Sequence, residues 1–253
     1  MADKTLQPVP ASSPSAAKSL FADEKARSLR AAARSEAWLA ALLATIAGFI
    51  DAYGVIAYGV FVSFMSGNTT QTGYQTAEGE FGPASASALA ILFFFIGTFV
   101  GALFAGPAGR AARRLVLAFV AATLVAIIGL TQLGFLSTGF AIAIVSFAMG
   151  VFNSALSRVG AQAVSLAFVT GTLSRAGSHL ALAARRAPLA DSQGPWDTHL
   201  RRGLMLARVW TGFLAGAILS GAATPRYGVW ALSAPALILA ALAVFERRGD
   251  AGR

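Results

Sequence analysis

Charges interrupt this chain rarely and in blocks, so its apolar stretches can be counted as candidate helices. A helix crossing ~30 Å of hydrocarbon at ~1.5 Å per residue needs about 20 residues. Ala37 to Gly59 is apolar apart from Asp51, and Phe81 to Gly109 is uncharged, with a span near Ala86 to Phe104. Leu115 to Ser157 is uncharged and long enough for two spans, with a turn at Gly134 to Gly139. Gly203 to Gly221, interrupted by Arg208, and Tyr227 to Phe245 supply two more, separated by Ala223, Thr224, Pro225 and Arg226. The pattern predicts an all-α polytopic membrane protein with six transmembrane helices.

Two further segments are only mildly apolar. Val60 to Ala77 and Ala161 to Ala183 are broken by Gly, Ser, Thr and Gln, and the first also by Asn68. The bias of Lys and Arg toward cytoplasmic loops arbitrates the first. If it spanned, Arg110, Arg113 and Arg114 would fall outside. If it enters and leaves on one face, they share the inner side with Arg185, Arg186, Arg201, Arg202, Arg247 and Arg248, and only Arg226 lies outside. The expected topology is multi-pass in a bacterial inner membrane with both termini cytoplasmic.

Composition agrees: 56% of residues are apolar and 12% charged, where a soluble domain carries about 25% charged. The absence of cysteine excludes disulfides, thiolate zinc and iron–sulfur sites. With only two histidines, no metal and no cofactor are expected. The net charge of +9 sits in tails and loops, which points to membrane topology and not to nucleic acid. Residues 1–36 read as a disordered basic tail, although Glu24 to Glu36 also suits a basic helix on anionic lipid.

Self-comparison finds three patches in the same order. Phe64, Ser66, Gly67, Thr70 and Gly73 match Phe168, Thr170, Gly171, Ser174 and Gly177. Gly48 and Asp51 match Gly150 and Asn153, while Gly97, Gly101 and Gly106 match Gly212, Gly216 and Gly221. The set reads as a duplication: a membrane repeat over 37–134, a second over 135–246, and a short cytoplasmic tail over 247–253. Each half holds three spans and one broken or re-entrant segment, and an odd number of spans inverts the second half relative to the first. Unwound backbone at membrane depth is tolerated only where it is buried in protein or lines a wet cavity. Ser66, Gly67, Asn68, Thr69 and Thr70, with Thr170, Gly171, Thr172 and Ser174, are therefore the candidate substrate site. The competing reading makes them helix-packing residues whose hydroxyls bond back to the preceding turn.

The residues G-F-I-D-A-Y (48–53) and V-F-V-S-F-M-S-G-N-T-T-Q (60–71), with F-V-T-G-T-L (168–173), resemble the signatures of the YoaK-like family of bacterial inner-membrane proteins. The resemblance runs from Trp38 to Phe245. That family is known chiefly as a domain of unknown function, in part labelled a small-molecule transporter. The resemblance implies a multi-pass membrane protein and carries over no catalytic residue.

Asp51 is the one acid inside a span, where an ionised carboxylate costs about 2.5 to 3.5 kcal/mol on insertion scales. It is the candidate site for proton or cation coupling, with Asn153 as its uncharged mate and Arg175, Arg158 or Arg208 as candidate cationic partners; a structural hydrogen bond is the alternative. His179 is a candidate proton relay or a packing residue, and His199 is expected to be solvated beside Asp191, Asp197 and Trp196. With no embedded Ser/His, Glu/His or Asp pair, no enzyme is expected. The function expected is a transporter or channel-like permease for a small polar or anionic solute; the alternatives are a non-transporting scaffold or regulator and an intramembrane lipid-handling protein. Membrane lipids and the solute are the expected partners, and a homo-oligomer is left open.

Overall fold

The computed structural model describes residues 14–104, 110–156 and 169–250. Among these residues the chain is α-helical: α1 (Pro14–Tyr58), α2 (Met65–Ala77), α3 (Phe81–Phe104), α4 (Arg110–Gln132), α5 (Thr138–Leu156), α6 (Val169–Ala184), α7 (His199–Tyr227) and α8 (Ser233–Asp250), with a 3₁₀ turn over Gly228–Leu232 before α8. Among the described residues four stretches are long and apolar enough to cross a membrane: Arg27–Tyr58, Phe81–Leu103, Ala111–Gln132, and His199–Phe245, which covers α7 and most of α8. A shorter apolar helix covers Thr138–Asn153. The protein is an all-α polytopic membrane protein.

Two boundaries differ from the sequence reading. The expected disordered tail is helical from Pro14 onward. Residues 28–42 are rich in alanine, the best helix former, so the chain does not uncoil where its hydrophobicity drops. The expected break at Ala223 to Arg226 is also displaced: α7 runs through Pro225 to Tyr227, and the bend lies in the 3₁₀ turn after it.

The ends of α1 and α2 explain how the broken segment arises. Gly59 takes φ 75° and Gly79 φ 79°, the left-handed geometry that stops a helix with little penalty only at glycine. The chain leaves α1 at Gly59, runs irregularly to Phe64, forms the 13-residue α2, and turns at Gly79 into α3. Thirteen residues rise ~20 Å, too little to cross the hydrocarbon.

The apolar core forms where α1, α4, α5 and α8 meet, around Leu43, Ile50, Leu117, Leu124, Phe152 and Leu239. α7 packs along α1 and α3 along α5; α6 flanks α7, and α2 flanks α3. Glycines set two close crossings. Gly48 lies against the carbonyl of Phe213 and Gly216 against that of Thr45, where α1 meets α7. Gly150 lies against the carbonyl of Phe94 and Gly97 against that of Phe147, where α5 meets α3. At each of the four, a Cβ would collide with main chain, so small residues let the backbones touch. Outward-facing Phe95, Phe99, Leu115, Val125, Leu237 and Phe245 are exposed and form an apolar surface for lipid.

Candidate functional site

The irregular segment between α1 and α2 folds back against α1 and is held there by two side chains. Asp51, two helical turns before Tyr58 and 4% exposed, presents Oδ1 to the segment. That one oxygen accepts from the backbone N–H groups of Val62 (3.0 Å), Ser63 (2.7 Å) and Phe64 (3.3 Å) and from the Ser63 hydroxyl (2.9 Å). Asn68, fully buried on the first turn of α2, takes both polar groups of one residue: Phe61 N–H donates to Asn68 Oδ1 (3.0 Å), and Asn68 Nδ2 donates to the Phe61 carbonyl (2.6 Å). Backbone that has left its helix thus recovers from side chains the bonds it lost. Two turns of helix rise ~10 Å, so the segment penetrates about that far below the end of α1.

The remaining residues of the first motif divide by face. Gly67 lies beneath the rings of Phe61 and Phe64, which meet edge to face at 5.3 Å between centroids; a Cβ there would come within 2.6 Å of Phe64 Cδ1. Ser66, Thr69 and Thr70 are exposed. The hydroxyls of Thr69 and Thr70 donate to the carbonyls of Met65 (2.8 Å) and Ser66 (3.1 Å) in the preceding turn. The structure therefore divides the candidate substrate group: Asn68 shapes the segment together with Asp51, while Thr69 and Thr70 bond back within their own helix.

The second motif opens α6. Thr170 and Ser174 are exposed, Gly171 is half-buried and Thr172 is buried. Thr172 Oγ1 meets no hydrogen-bond partner among the described residues. Asn153, the mate of Asp51, lies half-buried near the end of α5, and Arg175 is exposed on α6. Phe168, Arg158 and the stretch 157–168 leading into this motif lie outside the described residues, as does Gly106.

Among the expected cationic partners of Asp51, Arg208 is elsewhere, with its guanidinium 5.6 Å from the Trp38 ring. The groups that meet Asp51 are neutral donors from residues 62–64, which the sequence signalled only by the polar Ser63.

A second polar assembly braces α6, the 185–198 loop and the start of α7. Arg202 donates through Nε and NH2 to both oxygens of Asp197 (3.0 and 2.7 Å) and through NH1 to both oxygens of Asp191 (2.8 and 2.9 Å). These bonds hold the carboxyls of Asp191 and Asp197 below the usual carboxylate range. His199, expected in solvent, is buried, with its Nδ1 2.8 Å from Nδ1 of His179. Burial, and then the electrostatic influence of the neighbouring His199 ring and the Arg202 guanidinium, lower the pKa of His179 below its ordinary value. Its bond is to a second imidazole, and among the described residues no group of three metal-ligating side chains occurs.

Comparison with known proteins agrees with the membrane reading. Residues 39–245 match the family described as "Protein of unknown function (DUF1275)", the extent over which the YoaK-like resemblance was read. A UPF0700 transmembrane protein of Rhizobium meliloti (strain 1021) is 30% identical over 213 residues, covering 81% of this chain and 84% of that protein. No solved structure matches the chain. With the family match spanning its helical body from α1 to α8, the chain belongs to the DUF1275 family of membrane proteins.

Proposed function

We propose that the chain is a permease for a small polar or anionic solute, built from two inverted halves in a bacterial inner membrane. The observation that carries this is the irregular backbone of residues 59–64, drawn inside the reach of α1 and held by Asp51 and Asn68. Unwound backbone within an apolar helical body has a substantial cost, and its usual use is to build a solute path.

The helix contacts support the inverted repeat. If α1 to α4 correspond to α5 to α8, the α1–α7 and α3–α5 crossings are the same crossing seen from each half. Gly48 against Phe213 then corresponds to Gly150 against Phe94, and Gly216 against Thr45 to Gly97 against Phe147. This register pairs Gly97 with Gly216, one helical turn from the Gly97–Gly212 pairing read in the sequence. Arginine clusters at one end of each half favour cytoplasmic termini on both tails.

Asp51 couples an ion to this path by holding the segment. A proton or cation on its carboxyl competes with the N–H groups of residues 62–64, loosening the segment that opens toward the solute; Asn153 carries no exchangeable charge in the second half. The reading is non-catalytic: among the described residues Asp51 bonds to three backbone amides and the Ser63 hydroxyl, all of which serve to hold the segment.

The test is flux into proteoliposomes of the purified chain, with a panel of small neutral and anionic solutes read by osmotic swelling across pH 5 to 8. Swelling above that of protein-free liposomes for at least one solute class is expected, with a pH dependence that Asp51→Asn removes. Rates equal to protein-free liposomes for every solute would reject the permease, and an unchanged pH profile in Asp51→Asn would reject coupling at Asp51.

A further inference from the structure

A cavity of about 630 Å³ opens between the N-terminal half of α1, the 185–198 loop and the first turns of α7. Arg30 and Arg34 enter it from α1, and Arg201 and Arg208 from α7. Arg202 also lines it, but Asp197 and Asp191 spend its charge. Glu36 is the other acid in the lining, so four arginines face one carboxylate not already bound to a guanidinium. The positive charges of Arg34 and Arg30 reach Arg201, so these three converge, and Arg208 lines the same cavity. Their cost falls when an anion enters.

The rest of the lining says which anion. Trp38 is 64% exposed, Leu200 51% and Leu204 48%, so the cavity continues onto an apolar flank. Arg201 stacks on Trp196 with its guanidinium carbon 4.3 Å from the ring centroid, and Arg208 faces Trp38. Stacked guanidinium groups keep their edges free to donate paired hydrogen bonds to phosphate oxygens. Tryptophans beside arginines at the end of an apolar helix mark the headgroup level of a bilayer. A soluble anion would have no use for the exposed Trp38, Leu200 and Leu204 flank.

The geometry points to a binding site for the phosphate of an anionic phospholipid, with the acyl chains lying along Trp38, Leu200 and Leu204. The lipid bridges α1 and α7 at their charged ends. The site stands whether or not the chain carries a solute.

The experiment uses the full chain in bilayers, in a Trp210→Phe, Trp230→Phe background that leaves Trp38 and Trp196 as reporters. Quenching by brominated phosphatidylglycerol is compared with quenching by brominated phosphatidylcholine at equal mole fraction. The expected result is a preference for the anionic lipid that falls about fivefold per arginine replaced in Arg34→Gln with Arg201→Gln. Lys25→Gln with Arg27→Gln, on α1 outside the cavity, retains the preference. If Arg201→Gln does not fold, Arg30→Gln with Arg34→Gln carries the same test. Equal quenching by the two lipids, or equal loss in the Lys25 and Arg27 control, would overturn the site. So would displacement of the lipid by millimolar inorganic phosphate, which would assign the cavity to a soluble anion.

Discussion

Removing the Asp51 carboxyl isolates what holds the broken segment. Asp51→Ala leaves the N–H groups of Val62, Ser63 and Phe64 without their acceptor and frees the Ser63 hydroxyl. An unsatisfied buried donor costs about 1–3 kcal/mol, so three give roughly 3–9 kcal/mol if nothing relaxes. A six-residue loop between Tyr58 and Met65 can let water in, so the expected loss lies near the bottom of that range, about 3 kcal/mol. Asp51→Asn keeps an oxygen for the same donors and removes the cost of a charge in the membrane. What it forfeits is the stronger bonding to a charged acceptor, roughly 1 kcal/mol per bond, offset by about 2.5 kcal/mol or more of insertion cost. Unfolding in mixed micelles by SDS titration, followed by circular dichroism, measures both variants. A single cysteine at Val62 in this cysteine-free chain reports exposure of the segment to a maleimide. Asp51→Ala is expected to lose about 3 kcal/mol and speed labelling at position 62, with Asp51→Asn close to the parent. An Asp51→Ala protein within ~0.5 kcal/mol of the parent, with Val62→Cys still protected, refutes the clamp.

Gly97→Ala and Gly216→Ala drive a Cβ into the main chain of the facing helix and are expected to cost about 1–3 kcal/mol each, whereas Gly129→Ala and Gly221→Ala meet open space and should be near neutral; the same SDS titration reads all four. Arg202→Met strands Asp197, which is 7% exposed, and should cost about 3 kcal/mol, with faster proteolysis between Ala187 and Trp196. His179 holds its pKa below the ordinary 6.5, so the folded state binds fewer protons than the unfolded one. Stability is then full above about pH 6.5 and falls as pH drops through and below that value. Thermal unfolding from pH 8 to 5 should show this decline, and His179→Gln should flatten it.

The apolar character of α1, α3, α4 and α7, the hairpin turn near Gly134 and the polar break after Gly59 were legible because charge and glycine punctuate the chain where the membrane demands it. The extent of α1 was not. Hydropathy falls after Trp38 toward the N-terminus, yet an alanine-rich run such as Ala31 to Ala33 favours helix in water as well as in lipid. The use made of Asn68 was also hidden, because its partner is the main chain of Phe61, which has no sequence signature. Composition named Asp51 as the buried acid but suggested cations for it, since attraction between charges is easier to read than three amides brought round by a loop. Under the proposed repeat the contact with Phe147 pairs Gly97 with Gly216, one turn from Gly212, a choice the sequence leaves open because small residues recur every four positions on such helices. His199 was misplaced because the fold of the 185–198 loop, which brings α6 alongside it, depends on the Arg202 fork.

The central claim is that two broken segments enter the membrane from opposite faces and approach its middle. Spin labels on single cysteines at Ser66 and Thr170, in bilayers, test it through depth measured by relaxation with oxygen and with a water-soluble nickel reagent. A membrane-impermeant maleimide added to one side of sealed vesicles tells which face each position opens to. The account predicts both labels within about 8 Å of the bilayer centre, each reacting from the side opposite to the other. Labels at headgroup depth, or both reacting from the same side, would contradict it.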